Sequence, residues 1–135
     1  VHAGRVVTEP VGLIDLAPTV LEAARLPCPA TIEGRSLGAL LAGEVQGREW
    51  VLTENDHEMG FVLHLRTLTT ERYVLTRYDT MPGVGELYDR ALDPGERENR
   101  WDDPACARTR RELLALLAEV ANPSPRRLPN TGSLA

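Results

Sequence analysis

Lysine is absent from this chain: all 15 basic residues are arginine. That removes any Schiff-base or general-base lysine and reads as the coding bias of a GC-rich bacterial genome rather than as chemistry. Aromatic residues are scarce at 4%, so a core has to be aliphatic, built on Leu, Val and Ala. The two cysteines, Cys28 and Cys106, are too few for a disulfide framework and have no metal-ligand spacing. Each reads as a small buried hydrophobe. No apolar run approaches the roughly 18 residues that a membrane-crossing helix needs. No signal peptide is visible at Val1, and no initiator Met stands there, as expected of a piece of a longer polypeptide. The net charge of −5 argues against a nucleic-acid partner.

What is present is one domain's worth of residues, 135 in all and 42% hydrophobic. Residues 1–10 read as an extended lead-in stopped by Pro10. A first helix is expected from Asp15, whose side chain would cap it, with Pro18 tolerated in the first turn. Leu16, Val20, Leu21 and Ala24 give that helix an apolar stripe, Arg25 suits its C-terminal end, and Pro27 and Pro29 stop it. Ser36 is expected to cap a short second helix carrying Leu37, Leu40 and Leu41, closed by Gly43. Strands are expected at 50–53, 61–68, 72–78 and 86–89, the middle two joined by a hairpin at Thr69-Thr70-Glu71. The second strand alternates Leu63, Leu65 and Thr67 with His64, Arg66 and Leu68. The clearest element is a last helix from Pro104, capped by Asp103, to about Val120, with Leu113, Leu117 and Val120 on its apolar face. Beyond Asn122 the composition predicts a poorly ordered tail or an arm on a partner surface, where Arg126 and Arg127 would meet a neighbouring subunit of a homo-oligomer.

Three ordered segments carry a family resemblance. Gly85-Glu86-Leu87-Tyr88-Asp89 through Asp93-Pro94-Gly95-Glu96-Arg97-Glu98-Asn99 closely resembles the E-L-Y-D-L-x-x-D-P-x-E-x-x-N-L segment near the C-terminus of sulfatases in the alkaline-phosphatase superfamily. Asp15-Leu16-Ala17-Pro18-Thr19-Val20-Leu21-Glu22 resembles the D-x-x-P-T-x-L-E helix of that family, and Gly34-Arg35-Ser36-Leu37 its G-R-S-L turn. The resemblance implies an α+β fold: a small antiparallel sheet of about three to four strands packed by a C-terminal helix, preceded by helices that end a larger α/β sulfatase domain. The implied division is residues 1–45 for the end of the α/β domain, 46–121 for the sheet-and-helix subdomain and 122–135 for the tail. The parent reaction implied is hydrolysis of a sulfate ester at a calcium-bound formylglycine. The implied partners are the sulfate-ester substrate and the remainder of the sulfatase domain.

The resemblance covers the end of the enzyme, where the chemistry does not sit. Formylglycine arises from a C-x-P-S-R or C-x-A-x-R motif. Cys28-Pro29-Ala30-Thr31-Ile32 imitates it but carries Ile32 where Arg is required. The family's metal ligands and active-site Lys have no counterpart, so no catalytic or metal role is inherited here. No cofactor is expected on these residues, and Ca2+ is expected in the full-length parent. Glu54, Asn55, Asp56 and His57 are the best candidates for ligand contact, as a substrate rim on a loop after a strand. One loop seldom supplies the six to eight oxygen ligands that calcium prefers. Arg35 is expected to reach Asp15 or Glu33, His64 to be a hydrogen-bonded sheet histidine, and Asp89 to Glu98 to form a locally capped Asx-turn. Two other readings stay open: part of a phosphonate or phosphate monoester hydrolase of the same superfamily, and a non-catalytic interaction module.

Overall fold

The structure, a computed structural model, describes residue 4, residues 6–58 and residues 62–121. Four strands, β1 (Trp50–Glu58), β2 (Val62–Thr70), β3 (Tyr73–Tyr78) and β4 (Gly85–Asp89), form an antiparallel meander in the order β1-β2-β3-β4. Side chains alternate between its two faces. On one face Leu68, Leu75 and Leu87 stand opposite one another across three strands, and each is at most 1% exposed. Helix α3 (Ala107–Val120) lays Leu113 and Leu117 on this row, and Trp101 and Ala121 close the cluster. Each buried leucine contributes about 2 kcal/mol relative to an exposed one, so this row and the helix stripe supply most of the cohesion of the sheet unit. The aliphatic core and its helix are those expected from the sequence.

Local chemistry sets the boundaries. The β2–β3 turn is Glu71-Arg72, slightly later than the expected Thr69–Glu71. Thr70 holds it: its hydroxyl accepts the Tyr73 N–H at 2.8 Å and donates to the Tyr73 carbonyl at 3.1 Å. The last helix enters through a 3-10 turn at Pro104–Cys106, where the Asp103 carboxylate accepts the Ala105 N–H at 2.8 Å.

The E-L-Y-D segment and its return explain themselves structurally. Strand β4 would be a bare edge, a hazard for unwanted pairing. Asn99 covers it: its side-chain oxygen accepts the N–H of Leu87 and of Trp101 at 3.0 Å each, and its amide donates to the Gly85 carbonyl at 3.1 Å. Arg100 N–H adds a bond to the Leu87 carbonyl at 2.8 Å. Asp89, 5% exposed, accepts both Arg72 Nε (3.0 Å) and Nη2 (2.8 Å) and the Ala91 N–H at 3.1 Å. Asp93 accepts the N–H groups of Arg97 and Glu98 at 2.5 and 2.9 Å, as an Asx-type cap should.

The N-terminal third departs from its reading in two respects. Asp15 does not cap the first helix. A 3-10 turn (Leu13–Asp15) leads into α1 (Leu16–Ala23), and the Asp15 carboxylate, fully buried, gathers distant groups. It accepts the N–H of Gly12 at 2.9 Å and of Arg35 at 2.8 Å, and pairs with the Arg48 guanidinium at 2.7 Å. Arg35 therefore meets Asp15 through its backbone, and Arg48 supplies the charge. Thr19 adds a second tie, its hydroxyl donating to the Asp15 carbonyl at 2.6 Å and accepting the Leu37 N–H at 2.9 Å. Gly34 is required there, because a Cβ would lie 2.0 Å from the Ile14 carbonyl oxygen. The second departure is at Ser36. Helix α2 (Gly38–Ala42) starts after Leu37, and Ser36 accepts the Gly38 N–H at 3.1 Å in a side-chain turn, while Gly43 closes the helix at φ 79° as expected.

Helix α1 ends through Arg25, which takes φ 57° just before Pro27. Its apolar stripe exists, with Leu21 half-buried, but most of it is uncovered among the described residues: Leu16 is 53% and Val20 65% exposed, and Leu13 beside them 86%. Cys28 is exposed rather than buried, because the proline-flanked loop leaves it outside; Cys106 is half-buried. The expected tail at 122–135 lies outside the described residues.

Candidate functional site

The predicted rim residues do not form a loop. Glu54, Asn55, Asp56 and His57 all lie within β1, which runs five residues beyond the expected strand. The reason is cross-strand. Glu54 stands opposite Arg66 and Asp56 opposite His64 in the β1–β2 register, and opposite charges facing each other stabilise a strand pair. Glu54 Oε1 accepts Arg66 Nε at 3.0 Å, and Asp56 Oδ1 lies 2.6 Å from His64 Nδ1. His64 is thus the hydrogen-bonded sheet histidine foreseen from its sequence.

The ladder continues inward. Arg66 and Arg77 face each other across β2 and β3, a repulsive arrangement unless something intervenes. Asp79 intervenes, with one oxygen 3.1 Å from Arg66 Nη1 and the other 2.6 Å from Arg77 Nε. The result is an alternating row, Glu54–Arg66–Asp79–Arg77, on the same sheet face as the leucine row and further along the strands. Glu54, Asn55 and Asp56 are exposed; for His57 only the strand position is described. The row was hidden from sequence reading because Asp79 lies after β3 and touches Arg66 only through the fold.

Beside Arg77 and Asp79 lies an open cleft of about 620 Å³, walled by Trp101, Met81, Leu114 and Arg110. The Arg110 guanidinium stacks over the Trp101 ring, 5.2 Å from its centre, and donates to the Trp101 carbonyl. The sequence signal for this wall was weak: a tryptophan just after the Asn99 return, and an arginine one helical turn into α3.

This arrangement offers two exposed carboxylates, Glu54 held by Arg66 and Asp56 by His64, with the half-buried Asp79 between Arg66 and Arg77. Among the described residues no three His, Cys, Asp or Glu side chains converge as a metal site would require. These residues therefore do not fit a calcium centre, which prefers six to eight oxygen ligands.

The family described as N-sulphoglucosamine sulphohydrolase, C-terminal, matches residues 1–123. The chain belongs to this sulfatase family. A Delta 4,5-hexuronate-2-O-sulfatase of Bacteroides thetaiotaomicron is 38% identical over 108 residues, which cover 77% of this chain and 22% of that protein. Among solved structures, a protein in complex with its substrate D-glucosamine-2-N,6-O-disulfate superposes with a TM-score of 0.65 at 27% identity, covering 78% of this chain and 23% of its own. A phosphonate monoester hydrolase from Silicibacter pomeroyi superposes with a TM-score of 0.71 at 27% identity, covering 88% and 26%. The chain thus spans about a fifth of the length of the curated relatives it matches. The family and the α+β fold agree with the resemblance seen in the sequence. No helix among the described residues is long and apolar enough to cross a membrane.

Proposed function

We propose that this chain is the C-terminal part of a larger, bacterial sulfate-ester hydrolase, in which it completes the fold and contributes Glu54, Asn55, Asp56 and His57 to the rim of the substrate cleft. The observation that carries the reading is the combination of a sulfatase C-terminal family match over residues 1–123 with longer relatives, of which the matched part is only 22% and 26%. The exposed apolar stripe of α1 supports it. Leu13, Leu16 and Val20 make a surface that an independent module would keep covered, and residues 1–45 fit the end of an α/β domain that would bury it.

Calcium and formylglycine belong, in this reading, to the part of the parent that precedes these residues; when bound, the metal supplies the charge stabilisation and nucleophile activation of the hydrolysis. The present residues bind and orient. Glu54 is held by Arg66, and Asp56 by His64, so each carboxylate meets a sugar hydroxyl with little loss of side-chain freedom. In the longer polypeptide, Glu54→Gln and Asp56→Asn should raise KM for a sulfated saccharide while leaving kcat for a small aryl sulfate unchanged. Unchanged KM for the saccharide in both variants would remove the rim role.

A second reading, phosphonate or phosphate monoester hydrolysis, draws support from the superposition on the Silicibacter pomeroyi enzyme. Side-by-side turnover of an aryl sulfate and an aryl phosphonate by the longer polypeptide separates the two. The sulfatase reading expects the sulfate ester to be hydrolysed with the higher kcat/KM.

A further inference from the structure

Most described carboxylates of the sheet have a basic partner: Glu54 has Arg66, Asp56 has His64 and Asp89 has Arg72. Glu86, the first acidic residue of the E-L-Y-D segment, has none among the described residues. It is held instead by two phenols. Tyr78 Oη donates to Oε1 at 2.6 Å and Tyr88 Oη donates to Oε2 at 3.3 Å.

The register puts this group on the sheet face away from α3. Glu86 stands opposite Thr76, Tyr88 opposite Val74, and Tyr78 opposite Leu65. Thr67 and Thr76 hydrogen-bond through their hydroxyls at 2.9 Å and continue the polar row. Glu86, Tyr78, Tyr88, Leu65 and Val74 are all half-buried. The hydrogen bond to Glu86, with burial and the charge of Glu86, pushes the Tyr78 phenol up to about 12; burial, then Glu86, raises that of Tyr88. Both phenols therefore stay protonated and act as donors.

Each carboxylate oxygen keeps a second lone pair after accepting one phenol. A carboxylate presented between two aromatic rings suits a guanidinium or an ammonium group, which gains an ion pair and the ring quadrupoles together. A surface that covered Glu86 without a cation would strand a buried charge, which is strongly unfavourable.

We propose that Glu86, Tyr78 and Tyr88 form a seat for one arginine or lysine side chain, carried by the part of the longer polypeptide that precedes this chain. The choice of occupant rests on the reading above that the chain is one end of a larger hydrolase. Leu65 and Val74 would flank the contact with apolar surface, so the occupant is a protein segment rather than a free solute.

The seat is tested with 13C-tyrosine-labelled protein and two probes, N-acetyl-arginine amide and the neutral N-acetyl-citrulline amide. The arginine probe should shift the Tyr78 and Tyr88 ring signals saturably and leave Tyr73, already under the Arg72 guanidinium at 4.9 Å, unmoved. The citrulline probe should shift neither, and Glu86→Gln should lose the response while its Tyr73 signal reports an intact fold. No saturable shift in the unsubstituted chain, an equal shift with citrulline, or a response that survives Glu86→Gln would overturn the seat. In the longer polypeptide the two signals should already stand at their bound positions and ignore the probe. A probe response there, or shifts on simple dilution of the 135-residue chain that reveal a second copy in the seat, would overturn the choice of occupant. Aryl-ester turnover is a separate observable, so the seat and the hydrolase reading can fail independently.

Discussion

The guanidinium of Arg48 lies 2.7 Å from the carboxylate of Asp15, thirty-three positions earlier in the chain and fully buried. With the Gly12 and Arg35 N–H groups on the same carboxylate, this pair ties the first helix, the G-R-S-L turn and the approach to β1 into one knot. The D-x-x-P-T segment therefore keeps its Asp and Thr as two adjacent anchors: the carboxylate takes Arg48 and Arg35, and the hydroxyl of Thr19 takes Leu37.

Removing the buried anion should strand a cation and two N–H groups. Asp15→Ala is expected to cost about 3 kcal/mol or more, read as a lower urea midpoint. Arg48→Met in the Asp15→Ala background should cost less than Arg48→Met alone, since the charge it leaves behind is already gone. Strict additivity of the two substitutions would show that the pair is not coupled.

Acid should loosen the molecule for a related reason. Burial alone would raise the Asp15 carboxyl, but the N–H groups of Arg35 and Gly12 and the Arg48 charge outweigh it and hold it below the usual range. The Arg72 hydrogen bonds lower Asp89 against its own burial. A carboxyl lowered in the folded state contributes stability that is present above its unfolded value, about 3.9, and lost as pH falls through the folded value. Urea midpoints should therefore hold steady from pH 7 to about 5 and fall below about 4, and Asp15→Asn should flatten that fall. Equal acid sensitivity in Asp15→Asn and the unsubstituted chain would contradict the assignment.

The same two residues show what could be read from sequence and what could not. Asp15 has the local look of a helix cap; nothing near it in sequence points to Arg48. The Glu54–Glu58 run lacks any apolar alternation, so its strand was invisible until Arg66 and His64 were placed opposite it. By contrast, Leu113 and Leu117 repeat at helical spacing behind a proline start, and Leu87, Asp89, Asp93 and Asn99 sit at fixed spacing around a turn. Where the cause of a structure was local, the sequence was legible; where it came from a partner many residues away, or from a surface outside the described residues, it was not.

Gly85 tests how tightly the return segment is packed on β4. A Cβ at this position would lie 2.3 Å from the Trp101 ring, and Trp101 is itself fastened by its indole N–H to the Gly83 carbonyl at 2.8 Å. Gly85→Ala should destabilise by about 1–3 kcal/mol and change the Trp101 fluorescence environment. A variant as stable as the parent would mean that the indole moves aside freely.

The uncovered stripe on α1 should behave as an interface. The isolated chain is expected to bind a hydrophobic dye such as anilinonaphthalene sulfonate in its native state, with Leu13, Leu16 and Val20 responsible. Leu13→Glu combined with Val20→Glu should abolish most of that signal while leaving the urea midpoint within about 0.5 kcal/mol, as for exposed sites. Undiminished dye binding in the double variant would locate the exposed apolar surface elsewhere.

The most direct test of the central claim is turnover of 4-nitrophenyl sulfate, with calcium, by the purified 135-residue chain beside the longer polypeptide that contains it. The account predicts hydrolysis by the longer protein and a rate equal to buffer for the chain alone. Turnover that scales with the concentration of the isolated chain and disappears on substitution of one of its own residues would contradict it.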